Sequence, residues 1–358
     1  MAFLAFRNVR IAGISAGVPK FVASNLHPLE DDGISSEYTP EAFVDATGVL
    51  ERRLSDKLTT SDLSYEAAER LIADLGWEKS EIEALVFVSQ TADYILPATA
   101  CILQDRLGLS KECYAEDIAL GCSGWVYGLS NVASLLTSGS IKKALLLCGD
   151  AKKRAKGPRD PLFGHAGTAT AVEYAEGAEG FKFHFGTDGS GYDAIITPDG
   201  GSRNQVSMDS FKLEEIDGKQ MHRMQTRMKG MDVFSFGIST APKSVKKLAE
   251  KYRFDYLDYD YFVFHQANMK MNNLIAKKLK LAPEKVPSCM YRFGNTSSAS
   301  IPLTIVTQLC DKCNNPTKFV CCGFGVGLSW GTVAFTSNDL IISELVEVEE
   351  PNGESTWI

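Results

Sequence analysis

The sequence predicts a layered α/β protein assembled from two similar halves. Three observations predict it. Short apolar runs of strand length alternate with longer helical patterns. The runs are apolar throughout, which marks strands covered on both faces. The spacings also recur: Val88 to Cys148 spans 60 residues and Phe264 to Cys322 spans 58, while Val88 to Cys122 spans 34 and Phe264 to Asn295 spans 31.

In the first half, Ala84 to Val88 reads as a buried strand. A helical pattern precedes it over Tyr65 to Leu75, and another follows over Ala98 to Leu107. A short strand over Tyr114 to Ala119 leads into the small-residue turn Gly121-Cys122-Ser123-Gly124. A helical run to Leu136 and the strand Ala144 to Cys148 complete the unit. In the second half a helical run from Ala241 to Tyr252 precedes the strand Tyr261 to Phe264, and a helix follows from Asn268 to Leu279. Then come a short segment at Cys289 to Phe293, the turn Gly294-Asn295-Thr296, a helix from Ser300 and the strand Phe319 to Cys322. Strands joined through helices imply parallel βαβ units packed in layers. If the halves are structural repeats, Cys122 and Asn295 occupy equivalent strand-to-helix turns facing one pseudo-twofold axis. Spacing alone leaves coincidence open.

The division this implies is residues 1–175, residues 176–337 and an acidic tail over 338–358. Pro198 to Ser210 is rich in Gly, Asp, Ser and Asn and reads as a long surface loop. The tail carries Glu344, Glu347, Glu349, Glu350 and Glu354 and is expected to be solvated, with no place assigned to Trp357.

Composition narrows the class. At 358 residues the chain is one large domain or two ordinary ones. Hydrophobic residues at 44% supply a core and exclude disorder for most of the chain. No apolar run reaches about 18 residues, so neither a spanning helix nor a membrane partner is expected. A net charge of −8 argues against a nucleic-acid partner bound through bulk charge. Arg7 and Arg10 interrupt the N-terminal apolar residues, so no signal peptide is expected. Nine cysteines, several in apolar runs such as those of Cys148 and Cys321-Cys322, fit buried thiols in a reducing cytoplasm. Cys310 and Cys313 are spaced as C-x2-C, a zinc-ligand spacing. Because Ile301 to Cys310 reads as an amphipathic helix and Cys321-Cys322 as a buried strand, core cysteines are preferred and no metal is expected.

The turns carry the chemistry. Cys122 lies after a strand and before a helix, where unpaired N–H groups and the helix dipole favour thiolate and can bind an oxyanion. A packed cysteine in a tight turn is the alternative. His265 follows directly on the strand Tyr261 to Phe264, at a strand end of the kind where α/β layers bind ligands. A satisfied core histidine is its alternative, and a simple turn residue is that of Asn295. Together, Cys, His and Asn at three strand ends suit acyl transfer through a thioester. Glycines in Gly323-Phe324-Gly325-Val326-Gly327 allow close backbone approach. No Lys-Ser or Lys-Thr follows them, which excludes a phosphate-binding P-loop.

Four segments, Gly121-Cys122-Ser123-Gly124, His265-Gln266-Ala267-Asn268, Gly294-Asn295-Thr296-Ser297 and Gly325-Val326-Gly327-Leu328-Ser329-Trp330-Gly331, resemble the active-site segments of the β-ketoacyl-[acyl-carrier-protein] synthase III family. The resemblance runs from about Val9 to Phe335 and includes Thr47-Gly48-Val49 with Arg52-Arg53. It implies a thiolase-like five-layered αβαβα fold, a homodimer and a decarboxylative Claisen condensation without metal or redox cofactor. It further implies that Cys122 holds the acyl group and that the N–H groups of Cys122 and Val326 form an oxyanion hole. His265 and Asn295 would bind the malonyl thioester. Lys270, Lys277 and Lys278, on one face of the helix after His265, would dock an acidic acyl carrier protein, and Arg154 would meet the phosphate of coenzyme A.

Several positions depart from the family pattern. His165 stands where the family usually has Asp, and a structural role is expected for it. Val326 replaces a glycine. Leu96 stands where an aromatic often closes the acyl pocket across the dimer. Ala42 and Ala46 replace the Trp and Arg that commonly clamp the adenine of coenzyme A. That loss predicts a starter acyl group taken from a carrier protein in preference to coenzyme A. Three rivals remain: an acyltransferase that passes the acyl group to a non-malonyl acceptor, a non-catalytic partner subunit, and a zinc or redox protein using Cys310 and Cys313.

Overall fold

The computed structural model describes residues 1–29, 32, 39–151, 159–216, 219–313 and 316–351. Arg154 and Trp357 lie outside them. The chain opens with β1 (Ala2–Phe6), β2 (Val9–Pro19) and β3 (Val22–Ser24), then α1 (Pro40–Thr47) and β4 (Glu51–Arg53). It continues through α2 (Thr60–Leu75), β5 (Ala84–Val88), α3 (Thr99–Arg106), β6 (Tyr114–Ile118), α4 (Gly124–Leu136), β7 (Lys143–Asp150) and β8 (Ala166–Tyr174). After β9 (Phe181–Thr187) an excursion carries four short strands, β10 (Ile195–Ile196), β11 (Glu214–Ile216), β12 (Lys219–Met221) and β13 (Arg227–Met228). Next come α5 (Gly230–Tyr252), β14 (Tyr261–Phe264), α6 (Met269–Leu279), α7 (Met290–Phe293) and α8 (Ser300–Leu309). The chain then runs through β15 (Thr317–Gly325), β16 (Ser329–Ser337), β17 (Ile341–Ile342) and β18 (Val346–Val348).

Two sheets result. One has the order β17-β2-β8-β7-β5-β6, with β18 also on β2; the other runs β1-β9-β16-β15-β14. In the first, β5 lies parallel to both β6 and β7, with Val88 opposite Ile118 and Cys148. In the second, β14 lies parallel to β15, with Phe264 opposite Cys322. The N-terminal β1 joins the second sheet by pairing with β9.

Side-chain alternation explains the layers. Val86, Val88, Leu146 and Cys148 face a central cluster shared with α4 and α8, while Leu85, Phe87, Leu145 and Leu147 face α2 and α3. In the second sheet Val263, Phe319 and Cys321 face the same centre, and Phe262, Phe264, Val320 and Cys322 face α5 and α6. The order is therefore helices, sheet, central helices, sheet, helices. Apolar runs were needed at these strands because each has two covered faces.

Two expectations need correction, and the tail gains a definite place. The helix starting at Ser300 is not amphipathic: Ser300 to Val306 are all buried, because α8 lies between the two sheets. The residues before Asn295 form the one-turn helix α7 and not a strand, so Asn295 follows a helical turn. The tail is ordered up to Pro351 while its glutamate side chains stay largely exposed, Glu344 at 81% and Glu349 at 72%. β17 and β18 extend the free edge of β2 in parallel, and Glu347 and Glu349 pair with Arg53 and Lys20.

The cysteine reading is sharpened. Cys321 and Cys322 point to opposite faces of β15, so the two cannot join Cys310 and Cys313 around one ion. Burial pushes the Cys322 and Cys289 thiols up to about 12. Among the described residues no helix is long and apolar enough to cross a membrane.

Candidate active site

Cys122 is half-buried in the turn between β6 and α4, one residue before the Ser123 cap of a 13-residue helix. The Gly124 N–H donates to the Gly121 carbonyl at 2.7 Å, which closes the turn. The end of β15 lies directly against it. A Cβ on Gly325 would fall 2.6 Å from the Cys122 sulfur, and one on Gly323 would fall 2.8 Å from the Cys122 carbonyl oxygen. These glycines are required by close approach. The Ser123 and Ser329 hydroxyls are 2.7 Å apart, and the Ser329 hydroxyl donates to the Val326 carbonyl at 2.8 Å. That pair of bonds ties the Cys122 turn to the loop carrying Val326.

His265 leaves the end of β14, with its N–H donating to the Cys322 carbonyl at 2.9 Å. Its side chain is buried, and its Nδ1 lies 2.8 Å from the Ser300 hydroxyl at the start of α8. Its carbonyl accepts from Asn272 on α6 at 3.1 Å. Phe324 packs edge-on to the ring, 5.8 Å between centroids. Burial pushes its pKa down to about 3, partly offset by a hydrogen bond with the Ser297 main chain. The imidazole is therefore neutral at physiological pH. Gln266 and Asn268 serve the backbone: Gln266 donates to the Phe264 carbonyl at 2.7 Å, and Asn268 caps α6 by accepting from Lys270 and Met271.

Asn295 is buried on the turn between α7 and α8. Its Oδ1 accepts from the Ser297 N–H at 2.9 Å, and Ser297 holds a positive φ of 54° to present that group. The Asn295 carbonyl accepts from Gly164 and its N–H donates to Leu162, at 3.1 and 2.9 Å. With Oδ1 committed, the amide Nδ2 is left as the donor toward a ligand.

The three turns converge. A Cβ on Gly124 would meet Ser298, and one on Gly121 would meet the Ser297 hydroxyl and Gln90. Ser297 in turn contacts both His265 and Asn295. The site thus joins a thiol at a helix N-terminus with a neutral imidazole and a primary amide. Sequence reasoning missed Ser297, Ser300 and Asn272, which orient the His and Asn. The signal available was the polar run Thr296-Ser297-Ser298-Ala299-Ser300 at the head of an otherwise apolar helix.

The other expected residues lie around this centre. Lys270, Lys277 and Lys278 are exposed on α6, and Lys278 reaches the Ile238 carbonyl of α5 at 2.9 Å. Leu96 is 84% exposed and lines no site within its own chain. Ala42 and Ala46 lie one helical turn apart on α1, Ala42 exposed and Ala46 half-buried. His165 lies among backbone groups. Its N–H donates to the Arg53 carbonyl at 2.8 Å and its Nδ1 accepts from Ser55 N–H at 3.2 Å. Burial and two arginines push its pKa down to about 4. A neutral imidazole there acts as an acceptor for backbone.

Five layers with Cys, His and Asn gathered at the junction of two like sheets define a thiolase-fold protein. Two family models match the chain: 3-oxoacyl-[acyl-carrier-protein (ACP)] synthase III over residues 116–189, and its C-terminal counterpart over 249–337. A Campylobacter jejuni protein provisionally named 3-oxoacyl-[acyl-carrier-protein] synthase 3 is 32% identical, covering 95% of this chain and 97% of that protein. The β-ketoacyl-[acyl-carrier-protein] synthase III of Clostridium acetobutylicum is 30% identical over 91% of this chain and 98% of its own. The crystal structure of a 3-oxoacyl-(acyl-carrier protein) synthase from Burkholderia xenovorans superposes with a TM-score of 0.88 at 38% identity, covering 97% and 99% of the two chains. The chain belongs to the 3-oxoacyl-[acyl-carrier-protein] synthase III family and is an enzyme of that type.

Proposed function

We propose that this enzyme condenses an acyl thioester with malonyl-acyl carrier protein, releasing carbon dioxide and forming a 3-oxoacyl-acyl carrier protein for acyl-chain synthesis. The observation that carries this reading is a buried, neutral His265 beside an Asn295 whose Oδ1 is taken by the Ser297 N–H, in the turn cluster that also holds Cys122. The Cys122 thiolate attacks the acyl carbonyl, and the N–H groups of Cys122 and Val326 hold the oxyanion. Collapse breaks the carbon–sulfur bond to the donor thiol and leaves the acyl group on Cys122. The malonyl thioester carbonyl accepts from His265 and Asn295. Its carboxylate carbon–carbon bond then breaks, carbon dioxide leaves, and the electron pair enters the enolate these donors hold. The enolate carbon attacks the acyl-Cys122 carbonyl, and the thiolate is regenerated.

Two surfaces complete the reading. The exposed lysines of α6 dock the acidic carrier protein, and the donor arm enters past α1. With alanines at positions 42 and 46, adenine gains little stacking there, so the starter arrives on a carrier protein. The Tyr94 to Leu96 loop, with Ile95 96% exposed, is covered by a second copy whose acyl pocket Leu96 closes.

The test separates the half-reactions. Cys122→Ala abolishes acyl capture, read by intact mass from acyl-carrier protein and from the matching coenzyme A thioester. His265→Ala or Asn295→Ala still loads the acyl group but loses condensation, measured as carbon dioxide from labelled malonyl-carrier protein, by about 10²–10³. Loading blocked in His265→Ala as completely as in Cys122→Ala would refute these roles. Acyl transfer without carbon dioxide release would establish the non-malonyl acceptor instead.

A further inference from the structure

The family models end at Ser337, yet the chain continues into a strand that reaches the support of the active site. β18 pairs with β2 in parallel, Glu347 opposite Val18, and the Val348 carbonyl accepts from Lys20 N–H at 2.9 Å. From this strand Glu347 reaches inward to Arg53 of β4 at 2.7 Å. The Arg53 side chain is only 6% exposed. Among the described residues Glu347 supplies the carboxylate paired with it. Three residues on, Glu350 accepts from the Ser55 hydroxyl and from Asp56 N–H, so the strap is fastened at a second point.

Arg53 touches the turn that holds Asn295. Its guanidinium lies 5.8 Å from the ring centroid of Phe293, two residues before Asn295. Its carbonyl accepts from His165 N–H, next to Gly164. Gly164 in turn donates to the Asn295 carbonyl, and a Cβ on it would fall 2.1 Å from the Phe293 carbonyl oxygen. Phe163 and Asn295 form a parallel bridge across the same contact. A continuous chain of contacts therefore runs from Glu347 through Arg53 to Phe293 and Asn295. Removing the half-exposed carboxylate leaves a buried guanidinium without a counter-charge, held only by the Pro19 and Lys20 carbonyls at 3.4 and 3.2 Å, and such a cation draws in water or moves outward. Either change loosens the ring and backbone that fix Asn295.

We propose that Glu347, acting through Arg53, is a positioning residue for Asn295, and that the C-terminal strand is a working part of the malonyl half-reaction. The inference rests on the proposed roles of Asn295 and Cys122 for its kinetic arm only. The Cys122 turn lies outside this chain of contacts, so acyl loading is spared.

The experiment compares the full chain with Glu347→Gln and Glu347→Asp. Amide hydrogen exchange is read at 162–164 and 293–297, with α4 as an internal reference. In Glu347→Gln the two support segments exchange at least about tenfold faster while α4 is unchanged. The kcat of condensation falls about tenfold, as expected for a donor displaced by a fraction of an ångström. Its KM for malonyl-carrier protein stays put, and loading of Cys122 stays within twofold. Glu347→Asp, which keeps the charge, restores most of both effects. Unchanged exchange at 293–297, or equal acceleration in α4, overturns the proposal. A wild-type chain that does not condense at all sinks the activity reading instead, and the exchange result still decides the strap.

Discussion

At the scale of single residues, two backbone positions set how β15 meets the nucleophile. Gly325 and Gly323 press against the Cys122 sulfur and carbonyl, where any side chain would overlap. Gly325→Ala must push the thiol aside or bend the strand, and overpacking of this kind costs about 1–3 kcal/mol. The chain is expected to fold with a Tm lower by several degrees and to lose acyl capture by about 100-fold. Mass spectrometry of acyl-Cys122 beside a thermal melt checks both, and capture at the wild-type rate would show that the sulfur has room to spare. Cys122, His265 and Asn295 stood out as candidates through their places at strand ends and turns and the resemblance of their segments to the family's, and the structure brings those turns together. The residues that aim them did not stand out. Ser300, 2.8 Å from the His265 ring, reads in sequence as an ordinary first residue of a helix. Ser297 reads as an ordinary turn residue although its main chain links His265 and Asn295. Nothing local tells which way a serine hydroxyl or a main-chain N–H will point once distant segments meet.

At the scale of elements, the apolar strands of the parallel pairs were read well, while the antiparallel strands β2, β8 and β9 and the surroundings of helices were not. Ala84–Val88 and Tyr261–Phe264 stand as expected because a strand covered on both faces must be apolar at every residue. The segment Ile301 to Cys310 reads as amphipathic, yet in α8 Thr304 and Thr307 donate to carbonyls four residues back, at 2.7 and 2.8 Å. Those bonds let polar side chains lie in a helix that is buried along most of its length. The tail's glutamates face solvent as expected, but the pairing of its backbone with the edge of β2 and the cations beside it are visible only in three dimensions. Helix α6 carries the prediction at this scale. Lys270 and Lys277 point outward, and Lys278 leans onto α5. Lys270→Glu with Lys277→Glu is expected to raise the KM for malonyl-carrier protein by at least about tenfold, with an effect that fades as salt is raised. Hydrolysis of a small thioester analogue should hardly change. An equal loss on both substrates would mean that the substitutions disturbed α6 itself.

At the scale of the molecule, the two sheets bury imidazoles at several points, and acid should find them together. His265 is held at about 3, and His165 and His184 at about 4, against an ordinary value of 6.5. Burial is the largest cause at each. His184 lies 2.8 Å from the Ser244 hydroxyl and under the ring of Phe3, in the middle of β9. A histidine whose folded pKa is depressed binds fewer protons in the native state than in the unfolded chain. Its contribution to stability is complete above about pH 6.5 and is lost as the pH falls toward 4. Each pKa unit corresponds to about 1.4 kcal/mol per group, so one unit of acidification below 6.5 removes a few kcal/mol at most. Carboxylates titrate lower, near 4, and their loss belongs to a later stage. The expected melt is therefore flat from pH 8 to about 6.5 and declines by several degrees before pH 5. His184→Gln, which keeps a polar partner for Ser244 but cannot be charged, should flatten part of that decline without touching acyl capture. A Tm constant down to pH 5 in the unmodified chain would show that these imidazoles are reached by water and protonated without unfolding.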